Sequence, residues 1–467
     1  MLEQRVVMST MSKRFSAIGW VLLAFAVLHG LMLVYDYLHP TVFMNADRAL
    51  ARWQTIQGLY QAWHENRVTD FLANHGIVGD YLFQGLFMAW FGRYGLILLQ
   101  VSLTLLAGFS VYRIGMLLGM ANPWSTLAGG MYLLLPHTLI FPHQLAAEAL
   151  YTPLITVSLW LTIGALVNKD RYALCLGWSG WLGAVLVGIA NLIRPVTLLW
   201  PLLPVLLLFS MLRRHCALNY AWMAFFPLVV WVSFLGLQTG HFGFGASDHD
   251  MPHNLYQRTA RVVETLPPSE QTEARAQFLP SGAQGTLTLG DYLKFGLRYP
   301  APFLLHSARD GMVFFAKSGI ERIPIDYLMI NPAARASLQD ADSGWRKHLE
   351  SKGIGAALGY LWRTQGMVFV LSIGGAVMLL VMMGLALFGA RQLLQRQAAP
   401  EQRAAIWLLL ALPLYLFFTS QVVDAVQSRH RAPAEAALVL LAVAGARALM
   451  LRRAARKAND LQWLEVV

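Results

Sequence analysis

Acidic and basic residues stand at the edges of apolar runs along this chain. Asp36 follows FSAIGWVLLAFAVLHGLMLVY at once, and Asp47 and Asp80 lie in the polar stretch beyond it. Glu148 sits in PHQLAAEALYTPL, Arg194 in NLIRPVTLLWPLL, and Arg429 with Arg431 in SRHRAPAEAALVLL. Charge at the boundary of hydrocarbon is costly, so each of these is a candidate functional group. Their types match one kind of chemistry. Arginine forks hold phosphate through paired N–H donors, and a carboxylate in reach can take the proton from an attacking hydroxyl or amine. Together they suit transfer from an anionic, lipid-linked donor to a nucleophile. Plainer readings exist for the acids: Asp47, Asp80 and Glu148 can cap or open helices, and Asp36 can anchor the end of a crossing.

The elements that must carry these residues are helices. The chain has 467 residues, of which 57% are hydrophobic and only 13% charged, and its mean hydropathy is +0.49. Soluble domains carry about 25% charge. Apolar runs of crossing length predict an all-α, polytopic membrane protein of about ten transmembrane helices. They fall at about 16–35, 95–119, 125–141, 150–167, a run ending at 193, 195–211, 221–238, 367–389, 406–418 and 434–451. The start, with no small-x-small site after its apolar run, reads as an uncleaved first crossing. The net charge of +11 does not call for nucleic acid, because the lysines and arginines gather beside crossings, as the positive-inside rule expects. Cys175 and Cys216 both fall near ends predicted to be cytoplasmic, so no disulfide is expected.

Lys13, Arg14, Arg213, Arg214, Arg391, Arg396, Arg403 and the run RRAARK from Arg452 share one side on this count. Both termini are then cytoplasmic, and two polar segments, 36–93 and 239–366, face outward. The chain divides into an N-terminal transmembrane module (1–238), an outer segment (239–366) and C-terminal transmembrane helices (367–467). In the first outer loop, ADRALARWQTIQGLYQAW carries apolar residues at helical spacing, and GDYLFQGLFMAWFG is a second apolar stretch; both predict helices lying in the interface. The outer segment holds an amphipathic, proline-broken stretch within LGDYLKFGLRYPAPFLLHSARDGMVFFAK, and 267–285 and 331–351 read as loops.

No nucleotide-binding fingerprint or His-Glu-x-x-His motif is present, and no cofactor is called for. His241, His249 and His253 beside Asp248 and Asp250 match no metal-site spacing.

Several segments, in order, resemble the polyprenyl-phosphate-sugar-dependent glycosyltransferases of the GT-C membrane fold, which include protein O-mannosyltransferases and aminoarabinose lipid A transferases. NADRALARW stands where those proteins have an acid after the first crossing. GDYLFQGLFMAWFG is similar to their PPLYYLLLALFYKLFG stretch, AAEALYTPLITVSLWL to xTEPLFxLLLxLALWL, IANLIRPVTLLWPLL to LTRPTALLLLPLLL, and SRHRAPAEAALVLLAVAG to xRYRLPxxPLLALLAA. The resemblance implies an inverting, metal-independent transferase in a bacterial inner membrane, with its site on the periplasmic side. Its partners would be a polyprenyl-phosphate-linked sugar donor, a glycan, lipid or protein acceptor, and membrane lipid. Asp47 would be the base, with Asp80 and Asp36 competing for that role, while Glu148, Arg194, Arg429 and Arg431 would bind substrate. Two other classes share these features: a lipid-linked glycan flippase, and a ligase or polymerase using diphosphate-linked glycans.

Overall fold

The computed structural model describes residues 2–44, 49–75, 79–167, 177–211, 213–240, 242–243, 250–279, 287–320, 323–327, 332–397, 399–423 and 428–464. Every regular element among them is helical. Seven helical spans are long and apolar enough to cross a bilayer: Ala17–Leu38, Gly79–Leu117, Glu148–Val167, Arg214–Gln238, Val370–Arg396, Pro400–Gln421 and Arg429–Arg456. The protein is therefore a multi-pass helical membrane protein. The other three predicted crossings fall on shorter pieces. The 125–141 run breaks at Pro136 into α5 (Asn122–Leu133) and α6 (Pro136–Ile140). The runs on either side of Arg194 are α8 (Gly177–Ile193) and α9 (Leu202–Ser210).

The first outer loop folds as predicted from its spacing. After α1 (Leu2–Leu38), α2 (Ala49–His64) buries Ala49, Ile56 and Leu59, whose spacings of seven and three place them on one face. Asn66, at φ 55°, turns the chain into α3 (Val68–His75). The second stretch opens α4 (Gly79–Leu117), which is broken at Gly92 (φ 67°, ψ 179°). Only glycine takes that backbone without strain, and it separates the interfacial turn from the crossing.

The core lies between α4, α5, α7 (Glu148–Val167), α8, α10 (Arg214–Thr239), α15 (Pro332–Arg396), α16 (Pro400–Val423) and α17 (Ala432–Leu464). Small residues let these helices approach closely. A Cβ on Gly389 would strike the Leu441 carbonyl, and one on Gly445 the Leu385 carbonyl, so α15 and α17 cross backbone to backbone. Helices α7 and α17 are the most enclosed: 72% of each apolar window is buried, against 17% for α1. Glu148 opens α7, and Arg429 and Arg431 lie in the turn Ser428–Arg431 that leads into α17, so these charges sit at the ends of the two most enclosed spans.

Two segments read as loops turn out helical. α12 (Pro268–Phe278) lies within 267–285, and α15 begins at Pro332, inside 331–351, and continues past residue 366 with Gly353 at φ 80° within it. Both open on proline, which suits the first helical turn because its missing N–H has no partner there anyway. The turn-forming look of the prolines hid this. α11 (Asp250–Val263), α13 (Leu289–Arg298) and α14 (Pro300–Ala316) complete the outer segment.

Candidate active site at one end of the bundle

Five chain segments bring charge to one place. Glu148 opens α7, is 2% exposed, and receives Arg194 Nη1 on Oε1; Arg429 Nε lies 3.6 Å from the same oxygen. Arg194 is the first residue after α8, in extended backbone (φ −153°) before the turn Pro195–Thr197. That turn is fixed by Thr197, which donates to Asn191 Oδ1 at 2.8 Å and accepts from the Tyr151 hydroxyl at 3.3 Å. Asp80, in the first turn of α4, accepts from Arg52 Nε of α2 at 3.0 Å. Arg52 acts electrostatically on Glu148, and Arg194 on Asp80, so the two pairs form one group.

Close backbone contact sets this arrangement. Gly79 lies against the Leu192 carbonyl with no room for a Cβ, which places Asp80 beside the end of α8 and hence beside Arg194. Gln84 Nε2 donates to the Ala146 carbonyl at 3.0 Å, and the Leu145 N–H to the Phe43 carbonyl at 3.0 Å. The first outer loop is thereby stitched to the strip before Glu148. Phe43, Ala49, Leu145, Ala146, Ala149 and Ala432 share one apolar cluster around the charges.

The group holds three arginines and two carboxylates, a formal excess of one positive charge. Burial works against the charge on Arg52, but Asp80 and then Glu148 outweigh it and raise its pKa. Asp80 Oδ1 is buried without a hydrogen-bond partner among the described residues. Arg52 and Arg194 are the more open members, at 12% and 15% side-chain exposure. Beside Glu148 the enclosed space is only about 10 Å³, lined by residues including Thr104, Tyr132, His137 and Thr152. That is room for about one water, so anything larger can reach the arginines only from their open side. The two larger grooves, of about 530 and 490 Å³, lie at the other end of α16, around Arg391, Arg403 and Trp407 and around Arg213 and Glu401. At 1.5 Å per residue α16 puts them roughly 30 Å away. The second of them holds a single carboxylate–arginine pair, Arg213–Glu401, and neither gathers several charges as the Glu148 group does.

The remaining predicted residues have other partners. Asp36 accepts from His143 Nδ1, and His143 Nε2 lies 2.7 Å from His29 Nδ1. This chain ties α1 to the Phe141–His143 turn. Tyr327, from the turn Ile323–Tyr327, closes over it, its hydroxyl donating to the Met32 carbonyl at 3.0 Å; burial and then Asp36 raise its pKa. Arg431 is fully buried and donates to the carbonyls of Phe314 and, at 3.0 Å, of Lys317, capping the C-terminal end of α14. It also meets Glu435 at 3.2 Å, which pairs with His137 at 2.9 Å. Asp47 lies outside the described residues.

Sequence reasoning passed over Arg52, His29, His137, His143 and Glu435. Two carried a usable signal: Arg52 stands on the apolar stripe of α2, three residues after buried Ala49, and His29 is a titratable residue inside a crossing. Comparison of the chain with known protein families, curated proteins and solved structures returns no match.

Proposed function

We propose that the protein is a membrane glycosyltransferase that moves a sugar from a polyprenyl-phosphate donor to a glycan, lipid or protein acceptor. It sits in the bacterial inner membrane, with about ten crossings and the site on the periplasmic side. The observation that carries the reading is the meeting of Arg52, Asp80, Glu148, Arg194 and Arg429 at the ends of apolar helices. Its excess positive charge suits a phosphate that arrives from the lipid with its sugar outward.

In this reading Arg194 and Arg429 hold the donor phosphate, and Glu148 fixes both forks so that they need no reorganisation as negative charge grows on the leaving phosphate. Arg431 acts at one remove, by holding α14 over the site. The acceptor's nucleophilic oxygen or nitrogen attacks the anomeric carbon, the sugar–phosphate bond breaks, and the lipid phosphate leaves with the electron pair. The acceptor's proton passes to Asp47, the proposed base. Asp80 is the second reading for that role, favoured by its unpartnered Oδ1.

The test is turnover by the purified chain with undecaprenyl-phosphate sugars, read by mass spectrometry of product and released lipid phosphate. Release of sugar-free lipid phosphate together with a glycosylated acceptor is the expected result. Movement of intact donor across a vesicle membrane without bond cleavage would instead identify a transporter. Orientation is tested separately. With the native cysteines replaced by serine, Cys at exposed Ser269 on α12 should react with an impermeant reagent from the periplasmic side, and labelling only after the membrane is opened would reverse the topology.

A further inference from the structure

A second positive cluster lies in the outer segment, where α11, α14 and the end of α16 meet. Arg258 of α11 has a side chain only 4% exposed. Its Nη2 donates to Asp310 of α14 at 2.6 Å and to the amide oxygen of Gln421 on α16. The Tyr292 hydroxyl of α13 neighbours it. Among the described residues, Arg258 Nε and Nη1, Gln421 Nε2 and His306 Nε2 are buried and make no hydrogen bond. His306 Nε2 stands 3.6 Å from Asp310. Exposed Arg261 and Arg309 lie close enough to act on His306.

Buried N–H donors left without acceptors are costly. Here such donors of Arg258 and Gln421, with His306 Nε2 beside them, converge around one guanidinium. Asp310 already accepts from Arg258, and a single carboxylate cannot serve the rest. A tetrahedral oxyanion can, since each of its oxygens accepts more than one N–H. We infer that this cluster is a phosphate-binding site, separate from the Glu148–Arg194–Arg429 group, and that it holds a phosphate of the acceptor. Only the word acceptor rests on the transferase reading; the binding does not. The chain itself links the two sites, because Gln421 precedes Arg429 by eight residues. Burial lowers the His306 pKa, opposed by Asp310 and aided by Arg258, Arg261 and Arg309; a bound phosphate favours the protonated imidazole and adds a donor.

The experiment titrates inorganic phosphate into the full chain in phosphatidylcholine nanodiscs, followed by calorimetry. Arg194→Ala serves as the background, to take phosphate off the donor arginines. Saturable binding should survive in Arg194→Ala. Arg258→Lys, which keeps the charge but loses the fork, should weaken that binding at least tenfold. If Arg258→Lys does not fold, the exposed pair Arg261→Gln with Arg309→Gln decides, with at least a threefold loss expected. No saturable binding in the wild type, its complete loss in Arg194→Ala alone, or wild-type affinity in the Arg258→Lys or paired variant overturns the proposal. Repeating the titration with phosphatidylglycerol in the disc identifies the source. Competition assigns the site to a lipid headgroup phosphate, and unchanged affinity assigns it to a soluble phosphorylated acceptor; either result keeps the site. A chain that binds phosphate here yet transfers no sugar would refute the transferase reading and leave this one standing.

Discussion

The two ends of the bundle carry the same kind of residue in opposite states. At one end Arg194, Arg429 and Arg431 are held by Glu148 and Glu435 in places 0–15% exposed. At the other, Arg213 meets Glu401 at 3.4 Å while 30% exposed, Arg447 reaches the Gly119 carbonyl at 3.4 Å, and Arg452 reaches Gln392 at 3.1 Å and lies over the Phe388 ring. The first set has lost water and must keep its geometry. The second keeps solvent and headgroups in reach and anchors the protein through long, adaptable stems. Arginine beside an apolar run thus has two meanings, and what separates them is whether the arginine that meets the carboxylate is itself buried, as at Glu148, or 30% exposed, as Arg213 is beside Glu401.

Removing that carboxylate should have the largest effect. Glu148→Gln leaves Arg194 and Arg429 buried without their counter-charge, and breaking a buried pair from one side costs about 3–5 kcal/mol. Thermal unfolding in detergent should show a loss of that order together with loss of transfer. Glu401→Gln at the other end should cost well under half as much. Equal losses at the two ends would erase the distinction drawn between site and anchor.

The next effect in size concerns the base. Asp47→Asn retains helix-capping ability but cannot take a proton, so turnover should fall by at least about a hundredfold with the fold intact. Donor binding should persist, since the proposed phosphate holders are Arg194 and Arg429. Near-normal turnover in Asp47→Asn with a large loss in Asp80→Asn would move the role to Asp80. Asp36→Asn, by contrast, should act on stability through the His143–His29 chain.

Much of this end of the molecule was legible in the sequence. Hydrophobic run length gave the seven long spans, and the helical spacing of Leu50, Trp53, Ile56, Leu59, Tyr60 and Trp63 gave α2, although Leu50 and Trp63 are exposed and Ala49 takes the buried place. Cost arguments at the membrane edge picked out Asp80, Glu148, Arg194 and Arg429, four of the five residues that meet. What could not be read was pairing. A charge next to a crossing looks alike whether it faces a partner helix, as Arg431 faces the end of α14, or a substrate. Arg52 was missed because its partner, Asp80, is 28 positions away and the contact depends on Gly79 pressing against Leu192. Three of the ten predicted crossings fall on shorter helices, and one of these, 125–141, is an apolar run that Pro136 breaks although composition alone leaves it whole. α12 and the start of α15 were read as loops because helix-opening proline and turn proline look the same without the fold.

A smaller effect should appear with pH in the outer helices. Because the His306 pKa is lowered by burial despite Asp310, the folded chain binds fewer protons there than the unfolded chain. Stability therefore rises with pH across this window, and is lost as pH falls below the ordinary histidine value of about 6.5. Protection of the α11 and α14 amides, taken relative to their base-catalysed intrinsic exchange rates, should be lower at pH 5.5 than at pH 7.5. His306→Gln should flatten that response. An unchanged response in the variant would assign the pH dependence to another group.

The smallest effect belongs to the basic end, and its smallness is the point. Arg213 is partly exposed and its contact with Glu401 is long, so the ion pair is worth less than about 1 kcal/mol. Arg213→Gln should leave turnover at the wild-type level, because the substitution lies roughly 30 Å along α16 from Glu148 and Arg429. What it should change is insertion. One positive charge fewer beside a crossing weakens the bias that, in the proposed topology, holds that side in the cytoplasm. Arg213→Gln combined with Arg214→Gln should then raise the fraction of chains labelled from the wrong side, while correctly inserted chains keep their activity. A fall in turnover per correctly inserted chain would mean that the basic end also takes part in the reaction, and the division of labour between the two ends would have to be redrawn.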